Sequence, residues 1–154
     1  MARPDDITRV LLDASALIGY LKGDPDFAVL KSLMAAVDRG DVTLVESTAI
    51  LTEVVPRHVN DAYGHATARS SVRALLEDPA TELVDVSTPI ARKAAELRVR
   101  LGLKTWDAIH LATAILAEAD VLVVRDGKFP QGEYEGVWVT RPFDLDEDRL
   151  PFEV

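Results

Sequence analysis

Short apolar runs alternate along this chain with stretches in which apolar residues recur every three or four positions. Thr8-Arg9-Val10-Leu11-Leu12 reads as a buried strand, and Asp13-Ala14-Ser15 then offers two helix-capping side chains ahead of a helix from Ala16 to Lys22. After Gly23-Asp24-Pro25, the spacing of Phe27, Leu30, Leu33, Met34 and Val37 predicts a second helix, with Gly40 as its stop. Val42 to Val45 is a second strand. Ser47 or Thr48 then caps a helix with Ile50, Leu51, Val54 and Val55 on one face, which Pro56 ends or kinks.

The second half repeats the alternation. Ala68, Val72, Leu75 and Leu76 mark a helix closed by Asp78-Pro79, and Leu83 to Val86 gives a third strand. Thr88-Pro89 reads as a cap with proline at the first helical position, followed by a stripe of Ile90, Ala94, Leu97 and Leu101 and a stop at Gly102. Another helix runs from near Thr105 to about Ala119. Val121 to Val124 is a wholly apolar strand, and Gly136 to Val139 a candidate fifth. Strands that are apolar on both faces and alternate with helices imply an α/β fold, with a mainly parallel sheet of four to five strands and helices on both faces. At 154 residues the chain supports one core. We expect a single domain over residues 1–143 and an acidic tail over 144–154.

Composition narrows the chemistry. The absence of cysteine excludes a disulfide framework, a thiolate metal site and a Cys nucleophile, and no segment is apolar for long enough to span a bilayer. The polar start lacks the apolar stretch of a signal peptide, so a cytoplasmic location with no membrane association is expected. The formal net charge of −9 argues against simple charge-driven binding of nucleic acid. It is unevenly spread. The segment from Asp144 to Val154 supplies −4, four acids discussed next supply another −4, and Arg92, Lys93, Arg98, Arg100 and Lys104 concentrate positive charge in one stretch.

Those four acids fall where ligands bind in open parallel sheets, just past the carboxyl ends of strands. Asp13 follows the first strand and Asp126 closely follows the fourth, while Glu53 and Asp107 lie in the opening turns of helices. Each has a bland alternative. Asp13 can cap a helix, Glu53 can pair with Arg57, Asp107 can favour the helix dipole and Asp126-Gly127 can be turn chemistry. Joint placement separates the readings. Two carboxylates about 5 Å apart repel by roughly 3 kcal/mol at an effective dielectric of about 20, a large fraction of a folding stability of about 5–15 kcal/mol. Such a cluster calls for a hard divalent cation such as Mg²⁺ or Mn²⁺, or for partial protonation. His58, His65 and His110 are too scattered for a metal motif. His110, three residues beyond Asp107, reads as an ordinary helix-surface histidine, with a supporting place beside the acids as the lesser reading.

In these positions the sequence resembles the PIN-domain family, and within it the VapC-type toxins. Val10-Leu11-Leu12-Asp13-Ala14-Ser15-Ala16-Leu17-Ile18 is similar to the family's opening motif, and Ser47 to Val54 to its second. Trp106-Asp107-Ala108-Ile109-His110-Leu111-Ala112-Thr113-Ala114 is similar to the third, and Leu122 to Phe129 to the fourth. The resemblance implies a three-layer sandwich and a divalent-metal-dependent endoribonuclease, with Asp13, Glu53, Asp107 and Asp126 as catalytic metal ligands and Ser15 as an auxiliary contact. It also implies Mg²⁺ or Mn²⁺ as cofactor, an RNA substrate positioned by Arg92, Arg125 or Lys128, a small antitoxin as partner, and homodimers. Val124 departs from the pattern, since many relatives carry a hydroxyl residue there. Two rivals stand beside this reading. A PIN-like module that binds a partner without cutting is one. A phosphatase of the haloacid dehalogenase kind with an Asp nucleophile is the other, but it calls for an acid where this chain has Ser15.

Overall fold

The computed structural model describes residues 3–54, 62–125, 127 and 129–147, with the backbone alone over 62–69. Six strands build one sheet: β1 (Arg9–Leu12), β2 (Thr43–Ser47), β3 (Glu82–Val84), β4 (Val121–Val123), β5 (Gly132–Tyr134) and β6 (Val137–Thr140). Their spatial order is β3-β2-β1-β4-β6-β5, and all neighbours are parallel except β5 and β6. The helices are α1 (Ala14–Leu21), α2 (Lys31–Asp38), α3 (Ile50–Glu53), α4 (Ala62–Glu77), α5 (Thr88–Leu101) and α6 (Thr105–Leu116), with a 3-10 segment over Pro25–Leu30.

Alternation of side chains along the central strands fills two cores. Val10, Leu12, Leu44, Val121 and Val123 belong to the core packed with α1, α2 and Val72 and Leu76 of α4. Leu11, Leu122, Val137 and Val139 belong to the core packed with α5 and α6. The expected α/β architecture with helices on both faces is therefore present. No helix among the described residues is long and apolar enough to cross a membrane.

Several local expectations change. The sheet has six strands because residues 132–134 turn back on β6 through Glu135 and Gly136, both at positive φ (51° and 90°). This is the pairing of signs that a tight hairpin turn uses. Glu135 is a poor residue for that conformation, and its carboxylate is held by Lys93 Nζ and Arg100 Nη2, each at 2.9 Å. Two members of the cationic stretch thus secure a hairpin. The helix expected through Phe27 divides into the 3-10 segment and α2, because Pro25 and the Asp24 cap set a tighter first turn. Ser87 caps α5 in place of Thr88, accepting from the Ile90 amide. Gly102 closes that helix at φ 67°, as expected. The start of the acidic tail is docked: Ser32 Oγ donates to Asp144 Oδ1 (2.6 Å), the Arg3 guanidinium donates to the Leu145 carbonyl, and Leu145 is buried.

Candidate functional site

From β1 the chain passes outward to β2 and β3, then crosses to β4 on the other side of β1. That reversal opens a crevice at the carboxyl edge between β1 and β4. Asp13 sits in it. Its backbone amide donates to the Val123 carbonyl at 2.9 Å, and its extended backbone (φ −63°, ψ 162°) places it as the N-cap of α1.

The capping reading of Asp13 is realised, since the Ala16 amide donates to Oδ1 at 2.7 Å. It does not exhaust the residue. The carboxyl is 9% exposed, and burial pushes its pKa up to about 6; the Ala16 and Arg125 amides and the nearby His110 oppose that rise, while the charge of Asp107 adds to it. An ordinary surface cap would not be desolvated in this way. Ser15, by contrast, is exposed in the first turn of α1, and Asp13 alone supplies the cap.

Asp107 is half-buried in the first turn of α6 and close enough to Asp13 to raise its pKa. Glu53 ends the short helix α3, and its Oε2 lies 2.6 Å from His110 Nε2. A carboxylate only accepts, so the Nε2–H of His110 is the donor. This corrects the expectation of a helix-surface histidine. His110 is buried at 1% exposure, and it, within the described residues, is the partner of Glu53; Arg57 lies outside them. Helical spacing placed His110 on one face of α6 with Asp107, but it could not show that α3 and the sheet cover that face. Asp126 and Lys128 also lie outside the described residues. Among the described residues, no three acidic or histidine side chains converge in a geometry that would hold a metal ion.

One residue of the site escaped the sequence reading. Glu46 is fully buried on β2, where its Oε1 accepts from the Leu12 amide at 3.2 Å. The β1–β2 register runs from Arg9 opposite Thr43 to Val10 opposite Leu44, and the carboxyl serves the amide beyond it. Its Oε2 has no hydrogen-bond partner among the described residues, nor has His110 Nδ1. Burial raises the Glu46 pKa well above the carboxylate range; the Leu12 amide opposes this, and Asp13 and Glu53 add to it. Its signal in the sequence was a lone acid at the end of an apolar strand. Glu46 therefore links Asp13 to Glu53 electrostatically, and Asp13 links onward to Asp107 and His110.

Of the two described cations expected to position a strand, Arg125 is the one placed beside these acids. It follows β4, while Arg92 is exposed on α5. The Arg125 guanidinium lies over the Phe27 ring, 5.5 Å from its centroid, and 4.0 Å from Asp24 Oδ2.

The sheet is mostly parallel, and Asp13 lies at its switch point, where α/β folds place their ligands. The chain belongs to the PIN-domain family, whose model matches residues 10–133. No curated protein matches the sequence. In fold it is similar to a toxin–antitoxin complex from Klebsiella pneumoniae, with 24% identity and a TM-score of 0.60 over 88% of this chain and 99% of that one. It is likewise similar to a DNA-bound VapBC from Salmonella typhimurium, with 16% identity and a TM-score of 0.61 over 86% and 97% of the two chains. A third similar structure is VapC20 of Mycobacterium tuberculosis, described as a toxin cleaving the sarcin-ricin loop, with 16% identity and a TM-score of 0.57 over 77% and 90%.

Proposed function

We propose that this protein is a divalent-metal-dependent endoribonuclease, the toxin of a type II toxin–antitoxin pair. The observation that carries the reading is the placement of Asp13, a buried acid at the switch point of the sheet, close to Asp107. A buried acid that repels its neighbour is a liability to folding unless a cation neutralises it. The donor set suits a hard cation, because every candidate ligand is a carboxylate oxygen. Asp13, Asp107 and Asp126 would hold Mg²⁺ or Mn²⁺, with Glu53 as a further ligand or as the group that orients water. When bound, the cation supplies water activation and charge stabilisation on the phosphate.

The chain's own residues then divide the work. The Ala16 and Arg125 amides fix the Asp13 carboxylate in one orientation, and His110 fixes that of Glu53. Glu53, with one oxygen held by His110, has the other to accept a proton from attacking water. The rival phosphatase remains disfavoured, because Ser15 is exposed on α1 and cannot serve as the second acid. The similar solved structures, several of them toxin–antitoxin complexes, support a small antitoxin as partner. Homodimers and a cytoplasmic site of action complete the proposal.

The test is incubation of the antitoxin-free protein with total RNA, with Mg²⁺ or with EDTA, beside Asp107→Asn. Discrete Mg²⁺-dependent fragments, lost in the variant, are expected. Undiminished cleavage by Asp107→Asn would reject the assigned site, and no cleavage together with no thermal stabilisation by Mn²⁺ would leave a partner-binding PIN module.

A further inference from the structure

We propose that the cleft between Arg125 and Arg141 is a phosphate subsite, holding the RNA strand by a backbone phosphate to one side of the carboxylates. The inference rests on the ribonuclease reading and adds to it the path of the strand. The cleft has a volume of about 370 Å³ and is lined by Asp26, Phe27, Arg125, Arg141 and Pro142.

Sheet topology brings the two arginines to one cleft. Val123 of β4 pairs with Thr140 of β6, and the strands are parallel, so Arg125 and Arg141 both emerge at the carboxyl edge where Asp13 lies. Each rests against a group other than an acid. Arg125 is stacked over Phe27, a ring 2% exposed and therefore fixed. Arg141 lies against Gly127, where a Cβ would come within 2.9 Å of its Nη2. Among the described residues Arg141 has no ion-pair partner, and the Asp24 oxygen near Arg125 is at the 4.0 Å limit.

Two exposed guanidinium groups facing one cleft repel each other and favour an anion between them, and their planar forks suit phosphate oxygens. Arg125 also joins the cleft to the carboxylates, because its own amide donates to Asp13. A strand lying along this edge would meet the carboxylates and the arginines in turn. Asp26 is the exposed acid on the cleft wall, so it opposes the anion and supplies a control of opposite sign.

The experiment is fluorescence anisotropy of a labelled single-stranded RNA against the full chain in EDTA, titrated at several NaCl concentrations. Removing one phosphate contact reduces the salt slope by about 0.7 and the affinity at 0.1 M salt by roughly fivefold. Arg141→Gln and Arg125→Gln are each expected to show that loss, and Asp26→Asn to bind more tightly, with melting temperatures confirming that all three fold. An unchanged slope in Arg141→Gln overturns the subsite, as does an Arg141→Gln defect confined to binding of a labelled oligoglutamate peptide. Cleavage by the wild type with unchanged RNA affinity in the arginine variants removes the subsite and spares the nuclease. The slope change without any cleavage does the reverse.

Discussion

His110 Nε2 lies 2.6 Å from Glu53 Oε2, joining the middle of α6 to the end of α3 across the crevice. The contact binds two segments that the chain separates by 57 positions, and it uses a ring with almost no solvent exposure.

Replacing that ring should therefore affect stability and the site together. His110→Ala leaves a cavity and takes a hydrogen bond from a carboxylate, a loss of about 2–4 kcal/mol. His110→Gln retains an N–H donor and should restore part of it. The measurement is the urea midpoint at constant m; equal midpoints for Ala and wild type would show that the pair contributes nothing.

Asp13 sets a pH dependence with a definite sign. Its folded pKa is about 6 against a reference of 3.8, so between those values the folded state binds more protons than the unfolded one. In chelating buffer, the Asp13 contribution to stability should fall as pH rises through that window, a change of about 3 kcal/mol. Asp13→Asn keeps a capping acceptor, should flatten the window, and should raise the melting temperature at neutral pH by on the order of 5–10 °C. Glu46 is raised in the same direction, so adding Glu46→Gln should remove part of the remaining slope. A wild-type stability that climbs across this window would contradict both assignments.

Gly19 is required by the ring beneath the proposed RNA path. A Cβ there would come within 2.5 Å of Phe27 Cε2, and Phe27 sits in a packed core. Overpacking of this kind costs about 1–3 kcal/mol, against a helix-propensity gain of about 1 kcal/mol. Gly19→Ala should thus lower the melting temperature. It should also weaken RNA binding by displacing Arg125 from its seat on Phe27. A raised melting temperature would mean that the ring yields freely.

The alternation of strands and helices was legible along the chain, because burial on both faces of a parallel strand leaves a continuous apolar run, as in Val121 to Val124. Also legible there were Asp13 or Ser15 as the cap of the first helix and Gly102 as the stop of α5, since caps and stops are local chemistry; the fold chose Asp13. Only the tertiary structure decided that His110 is buried against Glu53. It likewise decided that Glu46 takes the Leu12 amide, and that Lys93 and Arg100 serve the hairpin at Glu135. The reason is physical. Periodicity reports which face of an element is apolar, whereas burial of a polar side chain depends on what another element brings to it. Arg125 and Arg141 illustrate the same division: 16 positions separate them in the sequence, and the parallel pairing of β4 with β6 places them at one edge.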